Sequence, residues 1–315
     1  MEVHQITKSG EPLAIPGLSC ICMNDFCSLC LRYCGGSYST VIFLFMLGTI
    51  GLRAENPRLP IDDPNRLQSD KEILVSDKTN WVVADLKLEM IWVKPGAFTM
   101  GSPPDEALRN KAEGPQTEVT LTRGYWLGKT EVTQFQYEAI TKTNPSAYRV
   151  VGSNAPVDSV SWLDAMKYCE QLTDREKMAG RLPKGYVFTL PTESQWEYAC
   201  RAGTTTSYSG DPEAMGWFSK NSNEATHTVG SKQANPWGFF DMSGNVLEWC
   251  RDWYGDYPGG SAKDPRGPGH GYYRIARGGS WRNEVQVGRS AARAGGSPGR
   301  IDYTLGFRLA LCEER

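Results

Sequence analysis

The chain has 315 residues, 22% of them charged, and a net charge of −2. That length fits one or two ordinary globular domains, and a balance so near neutral excludes nucleic acid or an anionic membrane as the main partner. With 33 Gly, 19 Pro and 10 Trp, the composition points to a loop-rich fold pinned by large aromatics.

The first distinct feature is a cysteine cluster, Cys20, Cys22, Cys27, Cys30 and Cys34. Cys27 and Cys30 have the C-x-x-C spacing, but no matching His or second pair follows at zinc-finger distance. A mainly apolar run from Val41 to Leu52 comes next. It is short for a membrane span and suits a signal-peptide core, with Ala54 as a small residue for cleavage. Residues 1–54 are therefore expected to be a signal or targeting segment. The chain is expected to be exported: periplasmic, extracellular or membrane-anchored. The membrane is then engaged only through an uncleaved N-terminal segment. Residues 55–85 are polar and rich in Pro and Asp, and read as a linker.

A globular domain is expected over residues 86–312. Glu89–Val93 and Phe98–Gly101 read as short strands around Pro95-Gly96. Residues 103–115 form a charged loop. Thr117–Thr122 alternates polar and apolar residues, as a half-buried strand does. Thr133 with Gln136 and Thr192 with Gln195 fit the capping box of a helix start; Ser161 with Asp164 is a looser version. Phe188–Leu190 is a short strand feeding the helix after Thr192. Glu193 and Glu197 lie four apart on that helix, the spacing of an ion-paired or solvated face rather than evidence for a catalytic pair. Beyond residue 202, Gly, Pro, Asn and aromatics dominate. The class is α+β, with small helices, short strands and long ordered loops.

The stretch Trp237–Trp249, WGFFDMSGNVLEW, supports two compatible readings. Asn245 with Glu248 resembles a helix N-cap with its reciprocal acid. Asp241, Asn245, Glu248 and the carbonyls of Gly244 and Val246 also supply oxygens of the kind a hard cation such as calcium needs.

Several phrases occur in one order: Trp92–Gly101, Lys129–Thr133, Pro156–Trp162, Leu190–Tyr198, Gly238–Trp249, Arg277–Trp281 and Leu305–Arg308. Together they resemble the formylglycine-generating enzyme, or sulfatase-modifying factor, family over roughly residues 86–311. The resemblance implies a C-type-lectin-like fold of the FGE type, stabilised by structural calcium at Asp241, Gly244, Val246 and Glu248, with Asn245 in the same loop. A second family calcium site would fall near Asn221 and Ser222, but its later acidic ligand belongs to a longer loop that this chain lacks. Cys169 and Cys200 match family disulfide positions whose partners are replaced by Leu309 and Ser290. A Cys169–Cys312 bridge is expected instead, while Cys200 and Cys250 either pair or stay buried.

The family enzyme oxidises a sulfatase cysteine to formylglycine with oxygen, using two cysteines that hold copper(I). Thiolates are the soft ligands that select this ion. Here Gly278–Arg293 contains no cysteine. Asn283 falls at the first Cys position, and the second has no counterpart in a shorter loop. Copper is therefore not expected. His227 and His270 are too few for a three-histidine iron site. Ser280 lacks the glycine elbow of a hydrolase nucleophile.

The remaining expectation is a noncatalytic or divergent binding or accessory module. Its groove would be lined by Arg277, Ser280, Trp281, Asn283 and Arg293. Its partner would be a peptide or protein client, a sulfatase among them, or another extracytoplasmic ligand. The alternative is the family oxidase working through a non-standard site.

Overall fold

The computed structural model describes residues 79–314. The expected signal segment, the N-terminal cysteine cluster and most of the linker lie outside the described residues. The ordered fold starts earlier than residue 86. Trp81–Val83 forms strand β1, paired antiparallel with β2 (Leu88–Val93), and Val83 and Leu86 are buried. Burial of these side chains makes the last residues of the expected linker part of the domain.

Three sheets carry the fold. The first takes β1 and β2 with β5 (Tyr125–Gly128), β12 (Ala310–Glu313) and β6 (Tyr186–Thr189), in the order β1-β2-β5-β12-β6. The second has β10 (Arg293–Gly296), β9 (Arg274–Arg277), β7 (Leu247–Trp253) and β11 (Leu305–Gly306), in that order. The third places β3 (Gly96–Met100) and β4 (Thr117–Leu121) beside β8 (Gly260–Lys263). The two strands flanking Pro95-Gly96 thus enter different sheets. β4 shows the strict alternation of buried and exposed residues that its sequence predicts.

The helices are α1 (Gln134–Thr141), α2 (Trp162–Met178), α3 (Glu193–Arg201) and the single turn α4 (Pro212–Met215). All three expected capping boxes form: Thr133 with Gln136, Ser161 with Asp164, and Thr192 with Gln195. Each holds two backbone N–H groups that the helix leaves without partners. Two apolar clusters fill the interior. One gathers Trp126, Tyr168, Trp249 and Phe307 between α2 and the first sheet. The other gathers Tyr125, Trp196 and Phe239 under α3. Each such ring contributes ~3 kcal/mol through burial alone.

The expected helix after Asn245 does not form. Leu247–Trp253 is β7, with Leu247 N–H donating to Thr304 O at 2.8 Å. Asn245 has φ of 60°, whereas an N-cap residue adopts extended backbone. Its side chain binds a distant segment: Oδ1 accepts from His227 N–H at 3.0 Å.

Candidate functional site

Two of the five expected groove residues, Arg277 and Arg293, are tied into a buried ion-pair cluster. Arg277, at the end of β9, is fully buried. It pairs with Glu197 and lies 3.2 Å from Glu193, and it donates to the carbonyls of Ser290 and Ala292 at 3.0 and 2.5 Å. Arg293 on β10 grips Glu193 with Nε and Nη2 at 2.6 and 2.8 Å. Arg201 completes the cluster on Glu197 at 2.8 Å. The Glu193/Glu197 pair is therefore ion-paired, as expected, but inside the protein. Arg277 is enclosed there, whereas Arg293, committed to Glu193, still borders a separate cavity beside Tyr257. Partnering is what allows these charges to be buried at all.

The cluster fixes the turn that follows. Gly278 and Gly279 have φ of 94° and 71°, and a Cβ on them would lie 3.2 Å from Trp196 and 3.1 Å from Gly288 N. Only glycine fits both the backbone and the space. Ser280 is buried and donates its hydroxyl to Asn283 Oδ1 at 2.8 Å. Asn283 in turn accepts Ser219 N–H on its carbonyl at 2.9 Å. Ser280 and Asn283 therefore shape the turn.

Trp281 borders the cavity next to this turn. It is 5% exposed, and its Nε1–H has no hydrogen-bond partner. It lines an open cavity of about 410 Å³ together with Tyr148, Ser219, Ser222, Glu224, Arg282 and Tyr303. Tyr148 sits edge-on to the indole with centroids 5.1 Å apart, and Tyr303 is tilted at 5.9 Å. The Arg282 guanidinium packs 5.4 Å from the Tyr303 ring centre and binds its hydroxyl. Burial, and then Asp158, raises the Tyr148 phenol above its ordinary value, so it stays protonated. Asn223 and Glu224 both have left-handed backbone, φ 51° and 59°, and Ala225 N–H closes the turn on Ser222 O at 3.3 Å. Left-handed non-glycine residues are costly and cluster at functional sites. Tyr148, Glu224, Arg282 and Tyr303 carry no periodic or spacing signal in the sequence. Their loops meet only in the fold.

The expected ion loop is also resolved residue by residue. Glu131, Asp241 and Glu248 are buried near one another, with Arg308 as the guanidinium in contact. Burial, and then the Asp241 and Glu248 charges, pushes the Glu131 carboxyl well up; burial lifts Asp241 to about 6. Asp241 Oδ1 is buried without a hydrogen-bond partner, while Oδ2 accepts from Gly230 N–H at 2.7 Å. Both Glu248 oxygens accept from Arg308 at 2.6 Å, and one also takes Trp196 Nε1–H at 2.7 Å. Two of the five expected ligands, Asn245 and Glu248, are thus committed to protein partners. Among the described residues no group of three or more His, Cys, Asp or Glu is disposed to hold a metal. What fits a hard cation is the orphaned Asp241 oxygen and the unbalanced negative charge, with the carbonyls of Gly244 and Val246 as the remaining candidates. At the second position, Asn221 Oδ1 takes Phe218 N–H at 2.7 Å and the Ser222 hydroxyl donates to Trp281 O at 2.9 Å.

Cys169, Cys200 and Cys250 are buried free thiols, so the Cys169–Cys312 bridge is not formed. Burial pushes the Cys200 thiol up to about 11, and burial also raises Cys169 and Cys250. None has the accessible, electropositive setting of a reactive thiolate. Cys200 Sγ lies 3.7 Å from Ser290 Oγ, so the replacement of a family disulfide partner leaves the two side chains in contact.

Short capped helices, three small sheets and long ordered loops define an α+β domain of the C-type-lectin-like, formylglycine-generating type. Residues 83–312 match the sulfatase-modifying factor enzyme 1-like domain, and the chain belongs to that family. It is 38% identical over 160 residues to serine/threonine-protein kinase pkn1 of Chlamydia pneumoniae, covering 49% of this chain and 24% of the kinase, so it spans about a quarter of that relative. It is 34% identical over 179 residues to formylglycine-generating enzyme of Streptomyces coelicolor, covering 50% of this chain and 52% of the enzyme. Treponema denticola variable protein 1 superposes with a TM-score of 0.65 at 28% identity, over 74% of this chain and 98% of that one.

Proposed function

We propose that the chain is an exported, noncatalytic binding module of the sulfatase-modifying factor family, with the Trp281 pocket as its working surface. The observation that carries this reading is the open cavity of about 410 Å³ walled by three aromatic rings, Tyr148, Trp281 and Tyr303, with Glu224 and Arg282 on its border. Aromatic rings supply flat apolar surface and the two charged groups supply hydrogen bonds, the combination a small-molecule or peptide site needs. The expected client is an extracytoplasmic one, a sulfatase-type polypeptide among the candidates. The apolar run Val41–Leu52 supports export.

The second reading is the family oxidation of a sulfatase cysteine. It needs thiolates that hold copper(I), and the Gly278–Arg293 segment has none. The test is turnover: the full chain leaves a Cys-x-Pro-x-Arg peptide unchanged in the presence of copper and oxygen.

Calcium belongs to the proposal as a structural ion. Asp241 Oδ1, with the Gly244 and Val246 carbonyls, would hold it. When bound, it supplies positive charge to a buried acidic cluster. Asn245 contributes by tying this loop to His227, and Arg308 by orienting Glu248.

A further inference from the structure

We propose that the Trp281 pocket takes a neutral saccharide ring. The inference rests on the binding-module reading and assigns its ligand class.

The lining decides the class. Every side chain bordering the cavity is aromatic or polar; no Val, Leu, Ile or Met borders it. The apolar surface is all aromatic, the flat kind on which sugar C–H faces stack. One acid, Glu224, and one base, Arg282, border the same space. An anion meets the carboxylate and a cation meets the guanidinium, so a ligand of either net charge is opposed by one wall. A neutral ligand rich in hydroxyls satisfies both, because each hydroxyl donates to a carboxylate and accepts from a guanidinium. The Trp281 ring borders the same space while its Nε1–H is buried away from solvent, so the indole offers ring surface and the hydrogen bonds come from Glu224, Arg282 and the Ser219 and Ser222 hydroxyls. Tyr303, 36% exposed, offers ring surface to the C–H face of a sugar. The cavity, about 410 Å³, lies in the usual range of small-molecule sites.

The Glu224 wall is built rather than incidental. Asn223 and Glu224 hold successive left-handed conformations, which direct a turn that extended or helical backbone could not make. Ser222, at the start of that turn, donates to the Trp281 carbonyl. The turn that carries Glu224 is thereby tied to the Trp281 backbone.

The sugar could arrive free or attached to a protein client, and the test separates these sources. The full chain, ¹⁵N-labelled, is titrated with glucose, galactose, mannose and N-acetylglucosamine and with their β-linked disaccharides. It is then titrated with ribonuclease B before and after removal of its glycan. The Trp281 indole resonance is assigned from Trp281→Phe. Saturation transfer to ring C–H protons of at least one sugar, with a shift of that resonance, is expected. Glu224→Gln should weaken binding about tenfold by losing a charge-assisted hydrogen bond; Glu224 is exposed, so this variant keeps the fold. A response to free sugars assigns a free ligand. A response to the intact glycoprotein, lost on deglycosylation, assigns a carried one. Silence toward all sugars and both glycoprotein forms overturns the saccharide. If the Trp281 resonance instead responds to a Cys-x-Pro-x-Arg peptide, the binding pocket stands and the saccharide class falls. If it responds to neither, both readings fall.

Discussion

Trp281 meets Tyr148 edge-on, with ring centroids 5.1 Å apart and planes at 72°. The contact joins the loop after β9 to the loop after α1, so the pocket is held by side-chain packing rather than by a shared element. A double-mutant cycle with Tyr148→Leu and Trp281→Leu should give a coupling of about 0.5–1.5 kcal/mol in urea unfolding. Additive effects would show that the rings do not support one another.

Arg277 and Arg282 stand five residues apart in sequence and have opposite roles. Arg277→Met leaves Glu193 and Glu197 short of a buried countercharge and should cost ~3–5 kcal/mol. Arg282→Met, on the exposed rim, should stay within ~1 kcal/mol while lowering ligand affinity. Urea unfolding midpoints check both. A small loss for Arg277→Met would return that residue to the list of groove candidates.

Asp252 gives a pH prediction. Its carboxyl accepts Glu193 N–H at 3.0 Å, and burial, then the Glu193 charge, raises it to about 7 from 3.8, while Arg251 and Arg293 oppose the rise. Between those values the folded state holds the proton more firmly than the unfolded chain. Its contribution is therefore fully present below the unfolded value and is lost as pH rises through about 7. Asp252→Asn keeps an acceptor for Glu193 N–H and removes the titration. The difference in melting temperature between variant and parent should change from about pH 4 to about pH 7. A constant difference would show that Asp252 does not titrate there.

Calcium, if held by Asp241, should stabilise the folded chain by ~3 kcal/mol at a hundredfold excess over its dissociation constant. Chelator should then lower the melting temperature, and Asp241→Asn should abolish the response. An unchanged melting temperature in chelator counts against the ion.

The parts legible in the sequence were local or collinear. The capping boxes at Thr133, Ser161 and Thr192 depend on residues three apart, and all three form. The ordered phrases identified the family and its fold. Asn245 with Glu248 has nearly the same local signature and yet starts no helix, because His227 and Arg308 supply stronger, distant partners. Arg277 looked like a groove residue beside a glycine turn. Its burial depends on Glu193 and Glu197, some eighty residues earlier, and that pairing has no local trace. Tyr148, Glu224 and Tyr303 were missed for the same reason: loops without periodicity reveal their neighbours only when packed.

The central proposal is that the Trp281 face binds a ligand and that this chain does not oxidise a cysteine. The most direct measurement is mass analysis of a Cys-x-Pro-x-Arg peptide incubated with the full chain, copper(I), a reductant and oxygen, beside a formylglycine-generating enzyme as control. The account predicts that the control converts the cysteine to formylglycine while this chain returns the peptide at its starting mass. Formylglycine produced by this chain, and lost on heat denaturation, would contradict it.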